Sequence, residues 1–166
     1  FITKKSLIRN WEKELLSHCH VRAHILGHDE ALNHAMLMSP QYFYLTHFEA
    51  IKSIEERLRS FLKTRKVGVV IDESSKIKNP SSAISKSHHR LSKMFKKRII
   101  MTGTPVSNRP HDIWSQVYFL DQGKSLGVNY DTFKDSHNLS NRLANNWAER
   151  RHFESSIKNL MGKINS

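Results

Sequence analysis

Apolar residues along the chain change their spacing several times, and each spacing predicts one type of element. Two segments, Val67–Ile71 and Arg98–Thr102, have apolar runs without alternation. That pattern is typical of strands that are buried on both faces of a parallel sheet. Segments with apolar residues at helical spacing lie before and between them. The chain is therefore expected to alternate strands with helices.

Shorter apolar or aromatic runs predict the remaining strands, and capping residues help to place the helices. Ser6 can cap the first helix, and Ser81 or Ser82 can cap the helix that follows Pro80. Residues 130–166 have scattered apolar positions that suit two or three short helices. The additional strands are predicted at Phe1–Thr3, Val21–Leu26 and Tyr42–Thr46, and the other helices at His28–Met38, from Phe48 to Leu62 and from Pro110 to Leu120.

This alternation predicts the fold class, an α/β three-layer sandwich with a mainly parallel sheet. A chain of 166 residues is long enough for one domain, whereas two domains would each have a marginal core. We therefore expect a single domain over residues 1–166, with 136–166 as its helical end.

The charge balance favours a polyanionic partner such as nucleic acid, because 27 Lys and Arg face 15 Asp and Glu and give a net charge of +12. Solvated lysine-rich helices would give the same balance of charge.

Cys19 is the sole cysteine, which excludes an intrachain disulfide and a thiol-based metal cluster. No apolar run has the length of a membrane span, and no signal peptide is recognisable. We expect a protein that is not secreted, either cytoplasmic and nucleoid-associated or, in a eukaryote, nuclear.

Two carboxylates follow the first buried strand directly, at Asp72 and Glu73. Ligands of parallel sheets bind beyond the carboxyl ends of the strands, so this position is a candidate site. Asp72 could hold Mg²⁺, mostly through the hydration shell of the ion, and Glu73 could orient or deprotonate an attacking water. The alternative is a solvated strand end that caps the following turn.

The residues around this pair resemble a known motor family. Val69–Asn79 is similar to the Walker B, or DExx, box of superfamily-2 helicases, and its Ile77-Lys78-Asn79 ending is similar to the SNF2 branch. Ile100–Asn108 resembles the third helicase motif of that branch, often written Leu-Thr-Gly-Thr-Pro. Thr-Gly-Thr-Pro alone would be an ordinary turn after a strand. Together the two motifs, in the right order on predicted strand ends, identify the chain as similar to the SNF2 family.

The predicted helix with Ile113-Trp114 and Phe119-Leu120 also matches the family, so the resemblance covers about residues 1–135. Two weaker matches lie earlier in the chain. Ser6–Trp11 looks like the Ser-Leu-x-x-Asn-Trp segment of the family, and Leu45–Ala50 resembles its Thr-Ser-Tyr-Glu region. Core packing of the apolar residues in these segments would explain them as well. The chain departs from the family at Lys4 and Lys5, where Pro is usual before Ser6, and at Ser75, where many members have His.

The resemblance implies a RecA-like lobe of the P-loop NTPase type, which hydrolyses ATP with Mg²⁺ and moves along double-stranded DNA with a second RecA-like lobe as its partner. Asp72 would bind the metal, and Asp72 with Glu73 would serve ATP binding and catalysis. Coupling of the nucleotide site to DNA would fall to Ser75, Thr102, Gly103 and Thr104. The residues that the resemblance places near DNA are Ser6, Asn10, Thr46, Lys78, Asn79 and Asn108.

The sequence contains no Gly-x-x-x-x-Gly-Lys-Ser/Thr loop to hold phosphates. The family has this loop upstream and the second lobe, with its arginine finger, downstream. We therefore expect the chain to be part of a longer motor and to have negligible ATPase activity alone. The alternatives are a non-enzymatic basic DNA-binding module, a gene remnant, or a strand-separating or restriction-type motor.

Two groups of basic residues are expected to be solvated rather than functional. His88, His89 and Arg90 should form an exposed face of a helix. The second group lies in loops and at helix ends and consists of Arg65, Lys66, Lys93, Lys96, Lys97 and Arg98.

Overall fold

The computed structural model describes residues 1–39, 41–106, 110–137 and 155. Five parallel strands of the described residues form one sheet in the order β2-β3-β1-β4-β5. The predicted α/β class with a parallel sheet is confirmed. The strands are β1 (Ile2–Thr3), β2 (Ala23–Ile25), β3 (Phe43–His47), β4 (Gly68–Asp72) and β5 (Lys97–Met101).

Helices follow the strands, as the alternating pattern predicted. Three short 3₁₀ turns, Lys5–Leu7, Ser74–Ile77 and Pro110–Ile113, lead out of strands or into helices. The α-helices are α1 (Ile8–Cys19), α2 (Glu30–Met38), α3 (Phe48–Thr64), α4 (Ala83–Ser92), α5 (Trp114–Asp121) and α6 (Tyr130–His137). The further short helices predicted beyond residue 137 lie outside the described residues.

Separate hydrophobic clusters pack the helices against the sheet. In the largest, the apolar stripe of α3 packs with Val69 and Ile71 of β4 and with Leu91 of α4. A second cluster joins Ile8 and Leu15 of α1 to Leu45 of β3. This second cluster therefore holds α1 against β3.

Two details of the sequence-based prediction were wrong. Ser6 does not cap α1, because the chain first makes the 3₁₀ turn, closed by Leu7 N donating to Lys4 O at 2.9 Å. Strand β5 is not buried on both faces. Among the described strands it pairs with β4 alone, and the Ile99 side chain is 54% exposed. Sheet order is a tertiary property that an apolar run does not specify.

The cap of α4 resolves a choice that the sequence left open. Ser82 Oγ accepts a hydrogen bond from Ser85 N at 3.1 Å, so Ser82 rather than Ser81 is the N-cap.

Over the described ranges, none of the helices has the length and apolar character needed to cross a membrane.

Candidate functional site

The carboxylates predicted as the site lie at the end of a central strand. Asp72 is the last residue of β4, which has β1 on one side and β5 on the other. Glu73 follows in the left-handed region, with φ +59° and ψ +53°. A left-handed conformation is unfavourable for a residue with a β-carbon, by about 1–2 kcal/mol. Such backbone strain often occurs at functional sites.

Two donors hold one oxygen of Asp72. Thr3 Oγ1 and Trp11 Nε1 both donate to Asp72 Oδ2, each at 3.0 Å. Thr3 is fully buried at the end of β1, and Trp11 is half-buried on α1. The neighbouring strand and the helix that follows it therefore fix the orientation of this carboxylate.

A lysine from the turn between β1 and α1 holds the other carboxylate. Lys4 Nζ lies 3.1 Å from Glu73 Oε2, and both side chains are partly exposed, at 40% and 32%. An ion pair with this exposure contributes little to stability. It does bring the turn after β1 into contact with the turn after β4.

The carboxylate oxygens of Asp72 and Glu73 are suitable ligands for a hard cation such as Mg²⁺. Mg²⁺ is usually bound by one or two carboxylates, several waters and the phosphates of a substrate, rather than by a closed cage of side chains. Asp72 and Glu73 provide two such carboxylates at the rim of the sheet. In the part of the chain that the structure describes, no three His, Cys, Asp or Glu side chains gather as a metal cage.

A buried glutamine links the acidic segment to the Thr-Gly-Thr-Pro segment. Ser74 Oγ donates to Gln116 Oε1 at 2.7 Å, and Gln116 Nε2 donates to Pro105 O at 2.8 Å. Gln116 is 1% exposed and its bond with Ser74 is buried, whereas the bond to the exposed Pro105 is partly buried. The two segments also follow paired strands, because Asp72 of β4 is the register partner of Met101 of β5.

The residues predicted to couple ATP to DNA lie around this link. Thr102 Oγ1 accepts from Thr104 N at 3.2 Å and so shapes the turn that contains Gly103. Ser74, rather than Ser75, makes the hydrogen bond that leads to the second segment. Coupling roles for Ser75, Thr102, Gly103 and Thr104 remain predictions.

Four of the predicted DNA-binding residues lie beyond the carboxyl ends of β1 and β4. Ser6 and Asn10 are exposed near the start of α1. Lys78 Nζ lies 3.4 Å from Asp112 Oδ2, and the exposed Asn79 accepts a hydrogen bond from Ser81 N at 3.0 Å. Their positions are compatible with a shared surface at this edge of the sheet.

Thr46 is buried, unlike Ser6 and Asn10, and its contact with DNA stays a prediction. It is 5% exposed, and its Oγ1 donates to Leu26 O at 3.0 Å. Its hydroxyl is therefore used inside the fold, between β3 and the end of β2, because the strand is flanked by neighbours on both sides. The last predicted DNA-binding residue, Asn108, lies outside the described residues.

Sequence reasoning did not predict the contacts that Thr3, Lys4 and Gln116 make at the candidate site. A polar residue that ends an apolar strand, as Thr3 does, is one signal that could have been used. A second is an amide within a mainly apolar helix, as Gln116 is on α5. Neither signal identifies the partner, which requires the tertiary structure.

The prediction of an exposed His88-His89-Arg90 face was wrong for the two histidines. His88 is 1% exposed and lies between the rings of Phe48 and Phe119, because α4 packs against both α3 and α5. Burial lowers the pKa of His88 to about 4. His89 is half-buried with Nε2 2.9 Å from Ser115 O, whereas Arg90 is exposed.

The other group of cations is largely exposed, as predicted, and lies away from the acidic pair. Its members lead into the amino ends of β4 and β5, at the opposite edge of the sheet from Asp72. Arg98 is the exception, since its guanidinium donates to Leu120 O at 2.6 Å and Ser92 O at 2.7 Å. The exposed members are Arg65, Lys66, Lys93, Lys96 and Lys97.

Comparisons with known proteins agree with the family resemblance. Residues 1–164 match the model of the SNF2-related domain. The chain is 32% identical over 125 residues to the probable chromatin-remodeling complex ATPase chain of Oryza sativa subsp. japonica, which covers 72% of this chain. It is 30% identical, with the same coverage, to the ISWI chromatin-remodeling complex ATPase CHR11 of Arabidopsis thaliana. The chain spans 11% of the length of each of these relatives.

A solved structure has a similar fold. The Sulfolobus solfataricus SWI2/SNF2 ATPase core in complex with dsDNA superposes with a TM-score of 0.64 and is 30% identical in sequence. The similarity covers 81% of this chain and 26% of the solved chain. The resemblance therefore extends from the motifs to the arrangement of most of the described elements.

Proposed function

Because this chain belongs to the SNF2-related domain family, we propose that it is part of the first RecA-like lobe of an ATP-driven motor that moves along double-stranded DNA. The observation that carries the proposal is the position of Asp72 and Glu73 at the carboxyl end of β4, beside the segment that follows β5. This edge of a parallel sheet is where ligands bind.

In this proposal the two carboxylates have different roles. Asp72 holds Mg²⁺, and the ion neutralises charge on the phosphates of ATP. Glu73 orients the attacking water and accepts its proton. Lys4 pairs with Glu73 and so links it to the turn after β1, next to Thr3, which donates to Asp72.

The DNA-facing surface is proposed at the same edge of the sheet. Ser6, Asn10 and Asn79 supply exposed polar groups there. Lys78, which is partly exposed and pairs with Asp112, supplies a cation. The net charge of +12 and the dsDNA complex of the Sulfolobus structure support a DNA partner. The second RecA-like lobe of the full-length protein is the proposed protein partner.

Coupling between ATP and DNA is proposed to pass through Ser75, Thr102, Gly103 and Thr104. The hydrogen bonds of Gln116 support this route, because they join the turn after β4 to the turn after β5 through a buried side chain. A buried polar network of this kind restrains both turns at once.

The first test is the Glu73→Gln variant of the full-length protein. We expect DNA-stimulated ATPase turnover to fall by about 10²–10⁴-fold, the range for loss of a general base, while ATP and DNA binding persist. Glu56→Gln, an exposed change on α3, is the matched control. Unchanged turnover in Glu73→Gln would remove Glu73 from the mechanism.

The strong positive charge favours one alternative, a non-enzymatic basic DNA-binding module. This alternative predicts that the full-length wild-type protein binds DNA and has no DNA-stimulated ATPase. Residues 1–166 alone are expected to have negligible ATPase under either proposal, so the full-length protein is the sample that separates them.

A further inference from the structure

We infer that Thr3 and Trp11 are positioning residues that determine which oxygen of Asp72 binds the divalent cation. The inference rests on the proposed function for the identity of the cation, and it assigns a role to two residues that lie outside the acidic box. Thr3 belongs to β1 and Trp11 to α1, so neither is close to Asp72 in sequence.

The hydrogen bonds divide the two oxygens of Asp72. Each oxygen of an ionised carboxylate has about two lone-pair sites. Thr3 Oγ1 and Trp11 Nε1 each donate to Oδ2 at 3.0 Å and so use both sites. Across the described ranges, no donor reaches Oδ1 of Asp72. Oδ1 is therefore the oxygen that remains for a cation.

Both donors are held firmly by the fold. Thr3 is 0% exposed, its strand pairs with β3 and β4, and its branched side chain has restricted rotamers. The ring of Trp11 packs on Phe1, with 4.2 Å between ring centroids. Donors fixed in this way can prevent rotation of the carboxylate and keep Oδ1 directed away from them. Hydrogen-bonding partners of metal ligands commonly affect metal affinity by about 10–100-fold.

The experiment measures Mn²⁺ binding to the full-length protein by electron paramagnetic resonance, with Mn²⁺ alone as the probe. The Mn²⁺ ion that is lost in the Asp72→Asn variant is the one that this carboxylate binds. For that ion, Trp11→Phe and Thr3→Val are each expected to weaken affinity by about 10–100-fold. Thr3→Ser keeps the hydroxyl and should bind Mn²⁺ nearly as tightly as the wild type.

Trp114→Phe is the matched control for the loss of an indole donor. Trp114 Nε1 donates to Gly127 O at 3.1 Å, in the hydrophobic cluster of α5 and α6. Its substitution should lower stability and leave Mn²⁺ affinity unchanged. In ATPase assays, Trp11→Phe should raise the Mg²⁺ concentration for half-maximal activity far more than it lowers turnover at saturating Mg²⁺.

Two results would overturn the inference: Mn²⁺ binding that is insensitive to Asp72→Asn, or wild-type Mn²⁺ affinity in both Trp11→Phe and Thr3→Val. Failure of the proposed function has a different signature, namely a wild-type protein without DNA-stimulated ATPase. The Mn²⁺ measurement does not depend on turnover, so it decides the inference in that case too.

Discussion

Glu73 is a residue whose backbone conformation and chemistry are linked. Its left-handed conformation turns the chain sharply after β4, so that the 3₁₀ turn Ser74–Ile77 begins at once. Glycine would adopt this conformation without strain, but it would lack the carboxylate that pairs with Lys4. Glu73 therefore lowers the stability of this turn, but it places a carboxylate at the proposed site.

His88 is a second residue with an unusual environment. Its Nδ1 lies 2.8 Å from Ile84 O, and its Nε2 is buried without a hydrogen-bond partner among the described residues. Burial lowers the pKa of His88 to about 4. The ring is therefore neutral in the folded protein at neutral pH.

This environment predicts acid sensitivity. The folded-state pKa of His88 is below its ordinary value of 6.5, so the unfolded chain binds the proton first as pH falls. The free energy of unfolding should decrease between about pH 6.5 and pH 4, by about 3 kcal/mol in total from this residue. His88→Leu should remove that part of the decrease, as measured by urea unfolding across this pH range. His34→Gln, an exposed change on α2, is the control. An unaltered pH dependence in His88→Leu would contradict the assignment.

At the scale of elements, one ion pair joins α3 to α4. The guanidinium of Arg90 donates from Nε and Nη2 to the two carboxylate oxygens of Glu55, both at 2.6 Å. Glu55 is 7% exposed, and the hydrogen bond from Arg90 is the main cause of its lowered pKa. The pair therefore satisfies a carboxylate that the packing of the two helices has largely removed from water.

A double-mutant cycle tests this pair. Arg90→Met should lower the free energy of unfolding by about 1–3 kcal/mol, because it leaves Glu55 buried without its partner. Adding Glu55→Met should restore much of the loss, since two apolar side chains can replace a buried pair. Arg9→Met removes an exposed pair with Glu12 and should cost less than about 0.5 kcal/mol. Additive effects of the Arg90 and Glu55 changes in chemical unfolding would contradict the predicted coupling.

The elements were predictable where spacing along the chain determines them. The apolar stripe of α3 and the run of β4 each correspond to an observed element. The edge position of β5 was not predictable, because it depends on which strands pair across the sheet. The same limit applies to the site. Asp72 and Glu73 follow from a strand end, but Thr3 is 69 residues from Asp72 and meets it through strand pairing.

At the scale of the whole molecule, cationic residues lie both at the carboxyl ends and at the amino ends of the strands. The proposed DNA surface, at the carboxyl ends, contains Lys78. Lys97 is the first residue of β5 and lies at the amino ends. Net charge attracts DNA from a distance, but contacts with individual phosphates determine the salt dependence of binding. Substitutions at the two edges should therefore have different effects.

Lys78→Gln in the full-length protein should weaken binding to a short duplex and reduce the slope of log affinity against log salt by about 1. Lys97→Gln removes the same charge at the other edge and should leave the slope nearly unchanged. Both can be measured by fluorescence anisotropy over a range of salt concentrations. Equal slopes for the two variants would argue against the proposed DNA surface.

The strand order also has a consequence for biosynthesis. Strand β1 lies between β3 and β4, and its Ile2 is the register partner of Thr46 and Ile71. On the ribosome, this central strand is made before either of its neighbours and cannot be paired on both sides until Ile71 has emerged. Pairing between residues so distant in sequence is slow to form and leaves apolar strands open to aggregation. The nascent chain is therefore expected to need protection, for example by a chaperone, until β4 has left the exit tunnel.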